Sequence, residues 1–478
     1  MSELKLEPLE RLDLRKCTTV GDIVLAMSRC SFGARMLGEV AQKTLGWIQQ
    51  GKNIRVVYDG QELLDAFRRM QDRGWVREIV RSDQVRTLGK ASFEHLVVGR
   101  YSEAVDADIH KLDGAIYINK EELVRPGQIR DGYFPDAVFG NPSFVIPVLE
   151  CALTEWTTGH RQDIESLFSK LDGYAFGKTI PEGARTLLTM VKDPDCTVFL
   201  TLSGAMTIAK MGLVICDMVD MGMVQVISST GALMAHGLIE GVGLKHYKHN
   251  PAHTDTFLAE RQLNRVTDTL EPEENFSHIE EIVEKVLRTF SSDKPISPSM
   301  FHDAVGKLLS QEFPGDRGIL KSTYEKKVPV MCPAFVDSEI GNDVYVHNER
   351  RRREKHSPLI VWPELDSDLL LRTMTSSVRA GIFSIGGGVP RNNIQNVAPL
   401  IEIANERLDL DMPTRMFTYG CRIAPDAMHH GHLSGCTYSE NGSWRKMDIQ
   451  HGRFTEIRAD ATQVWPFLVR YVMERISS

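Results

Sequence analysis

Short apolar runs punctuate the second half of the chain at the spacing of buried strands. Residues 197–202 (TVFLTL) are apolar or β-branched throughout and end at Ser203-Gly204. A longer helix-like pattern, AMTIAKMGLVICDMVDMG, follows directly. VQVISS (224–229) closes on Thr230-Gly231-Ala232, VPVMCPAF (328–335) runs into Asp337-Ser338, and AGIFSIGGG (380–388) carries its glycines at its end. Runs that are apolar throughout mark strands covered on both faces, whereas strict alternation marks strands with one wet face. The pattern therefore predicts an α/β fold: a parallel sheet with helices on both sides and ligands beyond the carboxyl ends of its strands.

An earlier stretch has its own strands and helices. NIRVVYDG, HLVVGR and GAIYIN read as strands, and ELLDAFRRMQDRG and PSFVIPVLECALTEW as helices. This predicts a separate α/β subdomain over 44–185, between N-terminal helices of the core (1–43) and the main body of the core (186–478).

Composition narrows the function classes. With 478 residues, 42% hydrophobic and 25% charged, the chain is expected to be a folded globular protein. Its 56 Lys+Arg against 64 Asp+Glu leave a net charge of −8, which argues against nucleic acid as a partner. No apolar run approaches the roughly 20 residues that span a bilayer, so no membrane partner is expected. The opening MSELKLEPLERLDLRKC lacks the apolar centre of a secretory leader. The eight cysteines form no CxxC pair and several sit in apolar runs, which fits reduced thiols and a cytoplasmic location. The run Glu349–Lys355 (ERRRREK) reads as a solvated loop.

Two groups of residues carry candidate chemistry. The first is the set of turns after the apolar runs: Ser203-Gly204-Ala205-Met206-Thr207, Ser229-Thr230-Gly231-Ala232, Asp337-Ser338-Glu339 and Gly386-Gly387-Gly388. Glycine lets backbone approach a phosphate, helix N-termini supply N–H donors, and an aspartate can hold a ribose hydroxyl. The spacing is not GxGxxG, so a dinucleotide cradle and a set of ordinary tight turns both remain open. The second group is Ser443-Trp444-Arg445-Lys446, followed by RADAT and the apolar helix QVWPFLVRYVME. A lysine desolvated beside a tryptophan loses its proton more readily and becomes a nucleophile toward carbonyls and imines; the alternative is a surface lysine. Histidines gather at His246, His249 and His253 and at His429, His430 and His432, but no recognised metal spacing accompanies them, and no metal is expected.

The stretches TLSGAMTIAKMGLV, VISSTGALMAHGLIE, LNRVTDTLEPEEN, VPVMCPAFVDSEIGND, GIFSIGGGVPRNNIQN, GHLSGCTYSENGSWRKM and RADATQVWPFLV resemble, in order and spacing, the deoxyhypusine synthase family. LRKCTTVGDIVLAMSRCSFGARMLGEVA is similar to that family's first helices, so 44–185 reads as an insertion. The resemblance implies a Rossmann-like NAD enzyme, usually a homotetramer with sites between paired subunits. Such an enzyme oxidises a polyamine such as spermidine, passes hydride to NAD, and carries the aminobutyl group on a lysine imine. The group then goes to a protein lysine or, in homospermidine-forming relatives, to a small amine. By position, the resemblance implies Lys446 as the imine-forming lysine and Trp444 as its amine-stacking partner. It implies Ser203, Gly204, Thr207, Thr230, Gly231, Ala232, Asp337, Gly387, Asp460 and Ala461 as cofactor contacts. Glu440 is retained at the amine pocket, whereas the chain has Ala235, His236, Asn342, Leu433 and Asn392 at positions where the family has acidic residues or a histidine; Trp444, Glu440, His236, Asn342, Asp343 and Asn392 are the expected substrate contacts. Glu339, Asp343 and Asp426 are candidate replacement carboxylates. The expected activity is NAD-dependent aminoalkyl transfer; a homospermidine-type synthase and a non-catalytic NAD-binding regulator are the alternatives.

Overall fold

Five short apolar runs between residues 54 and 139 pair into one parallel sheet in a computed structural model that describes residues 4–87, 93–99, 115–119 and 137–477. The strands are β1 (Ile54–Tyr58), β2 (Glu78–Arg81), β3 (Glu94–Val98), β4 (Ala115–Asn119) and β5 (Ala137–Phe139), in the order β2-β1-β3-β4-β5. The helix Pro142–Thr158 follows, started by Asn141, whose side chain accepts from Ser143 N–H, with proline at the first position, where no N–H is needed. Its nearly all-apolar sequence is buried on most sides. Glu150, within it, is fully buried, and burial opposes its ionisation. Hydrogen bonds from Arg69 (3.0 and 2.9 Å) and Lys170 (2.9 Å) outweigh that and hold it below the usual carboxylate range.

The chain divides into two compact units, one of residues 12–181 and 462–471 and the other of 1–11, 182–461 and 472–478. The helices Val20–Met27 and Phe32–Gln49, which the sequence reading grouped with the core, lie in the same unit as the five-stranded sheet. Within that unit Thr19 Oγ1 donates to Glu155 at 2.7 Å, and Ala34 N–H donates to Thr462 Oγ1 at 3.0 Å.

The second unit is built on β6 (Cys196–Leu202), β7 (Val226–Ser229), β11 (Val330–Met331), β12 (Arg379–Ile385), β13 (Tyr419–Ile423) and β14 (Arg453–Ile457). A separate antiparallel sheet takes β8 (Tyr247–Lys248), β9 (Leu263–Val266) and β10 (Thr269–Pro272). The six strands are parallel and ordered β11-β7-β6-β12-β13-β14. In sequence rank this is 3-2-1-4-5-6, the doubly wound order whose direction reverses between the first and fourth strands. The reversal falls between β6 and β12, so the crevice it opens lies at Ser203 and at Gly386–Gly388. Phe199, Ile382, Phe417 and Met447 pack in the core beside these strands.

Three local expectations differ from the structure. The helix after β6 begins only at Gly212, because Lys210 takes a left-handed backbone (φ 70°) and turns the chain. The run 328–335 contributes just two strand residues; Pro333, which has no N–H, follows closely. The run 349–355 is chiefly the end of the helix Glu339–Arg353, where four arginines meet the negative end of the helix dipole.

Gly306 shows how tightly this unit is packed. A Cβ there would lie 2.2 Å from the Leu320 carbonyl oxygen, backbone that cannot step aside cheaply. Gly306→Ala gains about 1 kcal/mol of helix propensity but forces two helices apart, so a net loss of about 2 kcal/mol is expected in urea unfolding.

Candidate active site

Two cavities meet at the reversal point and share Gly388. The first, about 430 Å³, is lined by Ser203, Gly204, Ser229, Thr230, Gly231, Asp337 and Gly386–Gly388, together with Asp426 and Ser434. Strand ends deliver each of these turns. Ser203 N–H donates to the Ile385 carbonyl at 3.0 Å, tying the turn after β6 to the end of β12, and Ser203 Oγ contacts the Gly387 carbonyl. Thr230 Oγ1 donates to the Gly204 carbonyl at 2.9 Å and caps the helix Gly231–Gly241. Gly387 must be glycine for packing: a Cβ there would fall 2.3 Å from Ser434 Cα.

The second cavity, about 340 Å³, is lined by Arg391, Asn392, Gln395, Asn396, Glu440, Asn441, Trp444 and Lys446, with Leu433 and Cys436. Arg391, Asn392, Gln395 and Asn396 form one face of the helical turn that follows the glycines. Lys446 lies just beyond the short helix Tyr438–Ser443, in a turn made by the left-handed Arg445 (φ 54°). Backbone hydrogen bonds clamp it: Phe417 N–H to the Lys446 carbonyl at 2.9 Å, and Lys446 N–H to the Asn441 carbonyl at 3.2 Å.

Lys446 is only 7% exposed, and its Nζ donates to Asn392 Oδ1 at 3.0 Å. Burial, and after it the nearby Arg391, lowers its pKa below the ordinary lysine value. The desolvation comes from the cavity wall rather than from the tryptophan. Trp444 is 64% exposed, and its ring centroid stands 5.7 Å from Nζ.

Other residues singled out in the sequence lie elsewhere. Thr207 is buried and donates to the Leu233 carbonyl at 3.0 Å; neither it nor Ala232, Asp460 or Ala461 lines either of these two cavities. Asn342, Glu339 and Asp343 lie on the helix Glu339–Arg353 and line neither cavity. Burial, with Glu280 and Glu339 close by, raises Asp343 to about 7. Asp426 faces the first cavity, so Glu440 alone supplies a carboxylate to the second.

His236 also lies apart from both cavities. Its Nδ1 is 3.2 Å from Glu271 Oε2, which His246 Nε2 also contacts, so two imidazoles converge on one buried carboxylate. Lys210 Nζ is 2.9 Å from Glu240 and 2.5 Å from His246 Nδ1. These side chains are fully or almost fully buried and satisfy one another as a charge network. His236, His246 and Glu271 would make an N,N,O donor set for a metal, but Lys210 already supplies cationic charge against His246. His249 and His253 are not in that set, and His429, His430 and His432 contact one another in exposed turns. The sequence reading did not single out Arg391, Gln395 and Asn396, although their i, i+4 and i+5 spacing beside Asn392 was visible.

The family model "Deoxyhypusine synthase" matches residues 166–472. A probable deoxyhypusine synthase of Methanosarcina thermophila is 30% identical over 315 residues, spanning 66% of this chain and 92% of the relative. A deoxyhypusine synthase-like protein of Chlorobaculum tepidum is 30% identical over 287 residues (60% and 79%), and one of Coxiella burnetii is 26% identical over 335 residues (69% and 92%). A solved structure of a putative deoxyhypusine synthase from Entamoeba histolytica superposes with a TM-score of 0.45 at 14% identity, covering 65% of this chain and 93% of that one. Among the described residues, no helix is long and apolar enough to cross a membrane. With a family model matching residues 166–472 and a 30% identical relative matched over 92% of its length, the chain belongs to the deoxyhypusine synthase family.

Proposed function

We propose that the protein is an NAD-dependent aminoalkyl transferase that carries the moving group as an imine on Lys446. The observation that supports this most is a buried lysine with a lowered pKa, one shared glycine away from a cavity suited to a dinucleotide. That cavity fits NAD in chemistry: glycines at 204, 231 and 386–388 leave backbone open to a diphosphate, Ser203 and Thr230 add hydroxyls, and Asp337 offers a carboxylate to a ribose. Bound there, NAD would supply a hydride acceptor.

The chain's own residues do the rest. Asn392 accepts a hydrogen bond from Nζ and, being an amide, cannot take its proton, so the amine keeps a fixed orientation without being held as an ammonium. Arg391 disfavours the ammonium further. The lone pair of Nζ is then free to attack the carbon of an oxidised amine. Trp444 offers a ring face and Glu440 a carboxylate to the amine's cationic end. The working form is proposed to be a homotetramer, on the family membership alone.

The reading is tested by incubating the protein with NAD and a panel of amines, reducing with borohydride, and mapping the modified residue. A single adduct on Lys446 that requires NAD is expected. Adducts scattered over surface lysines, or none with any amine, would sink the proposal.

A further inference from the structure

The lysine cavity has a charge imbalance that a polycationic substrate would worsen. Arg391 lines it at 2% exposure. Its Nη1 and Nη2 donate to the carbonyls of Leu433 (3.3 Å) and Cys436 (2.8 Å), while its Nε has no hydrogen-bond partner. No carboxylate pairs with it among the described residues. The neighbouring Arg422, which shares the Cys436 carbonyl, takes Glu456 at 2.8 Å. Two buried guanidiniums thus share one anion. A buried cation without a counter-ion is costly, and a fold retains one where something else supplies the charge.

Gln395 repeats the theme. It is 2% exposed, lines the same cavity, and its Nε2 has no hydrogen-bond partner. Together with Asn392, Asn396 and Asn441, it makes this wall one of amides and a guanidinium rather than of carboxylates. Glu440, the one acid lining the cavity, matches a single ammonium. A chain of two or three ammonium groups would leave charges unpaired.

We propose that the amine accepted at this site also carries a carboxylate, which supplies the missing counter-charge beside Arg391 while its chain-terminal aminomethylene carbon reaches Lys446. With NAD bound, that carbon would give up a hydride and its nitrogen a proton, and Lys446 Nζ would add to the resulting imine carbon as ammonia leaves. The substrate class is an amino acid with a second amine at the end of its side chain. Glu440 receives its other ammonium, and Gln395 offers an amide to the carboxylate. This rests on the transferase reading above, which fixes Lys446 as the reacting end.

The test uses a matched pair. Ornithine is 1,4-diaminobutane with a carboxylate added, so the two differ only in the group at issue. The full-length protein with NAD is titrated with each, and the borohydride-trapped adduct on Lys446 is quantified by mass spectrometry. One charge-assisted contact predicts that ornithine half-saturates labelling at a concentration on the order of tenfold to a hundredfold lower. Arg391→Gln is expected to bring the ratio near one, and Arg391→Lys to restore part of it. The ratio is insensitive to any change in Lys446 basicity, because both amines meet the same lysine. Should Arg391→Gln fail to fold, the wild-type ratio still decides. Labelling by 1,4-diaminobutane or spermidine that equals or exceeds labelling by ornithine overturns the inference and leaves the transferase reading standing. No labelling by any amine overturns both.

Discussion

Lys446→Ala is expected to lower the rate of aminoalkyl transfer by at least about a thousandfold, because a covalent intermediate with no attachment atom cannot form. NAD affinity should be unchanged, since Lys446 does not line the glycine-rich cavity. Isothermal titration with NAD beside a turnover assay separates the two effects; loss of both would mean that the turn had collapsed. In the wild type the lysine's pKa is lowered by burial and by Arg391, so the folded protein releases this proton at a lower pH than the unfolded chain. Adduct formation should therefore rise with pH through a value below that of an ordinary lysine, about 10.4. A profile that follows free lysine would contradict the geometry.

Lys210→Met is the change expected to cost most in stability, about 3 kcal/mol. It leaves Glu240 buried without its ammonium, and His246 can replace only part of that charge. Burial works against ionisation of Glu240, but Lys210 and His246 hold it down to about 2. Burial likewise opposes protonation of His246, yet Glu240 and Glu271 raise its pKa above the ordinary histidine value. The histidine contribution is therefore full below about pH 6.5, the unfolded value, and is lost as pH rises through the raised folded value. The Glu240 contribution is present above about pH 4.3 and disappears as pH falls toward 2. Chemical denaturation of both proteins across this range reads the two limbs. Equal stability at pH 6 would show that the network does not depend on Lys210.

The six-stranded sheet was legible because its strands are apolar throughout and each ends in small residues. The same signal located the turns that line the first cavity. Lys446, Trp444, Glu440 and Asn392 were legible through family resemblance and do share one cavity. What was hidden depends on pairs distant in sequence. Lys210 bends the chain where the pattern reads helix, and its partner Glu240 lies 30 residues on. His236 reads as a pocket residue until Glu271, 35 residues away, takes its ring. Trp444 stands close to Lys446 in sequence, yet the hydrogen-bond partner of Nζ, Asn392, comes from another helix, which supplies about half of the cavity wall. Arg391 is not legible in the sequence, because a lone arginine on a helix says nothing about whether an anion will meet it.

The strand order has a consequence for how the chain is made. The sheet over residues 54–139 has left the ribosome before any strand of the other sheet appears. Central strand β6 finds β7 soon afterwards, but its other neighbour, β12, emerges some 183 residues later. At ordinary translation speeds that interval is roughly 10–40 s. Throughout it, an apolar strand with one open edge stands exposed on the nascent polypeptide, a natural client for chaperones and the point at which overproduction would first yield aggregates.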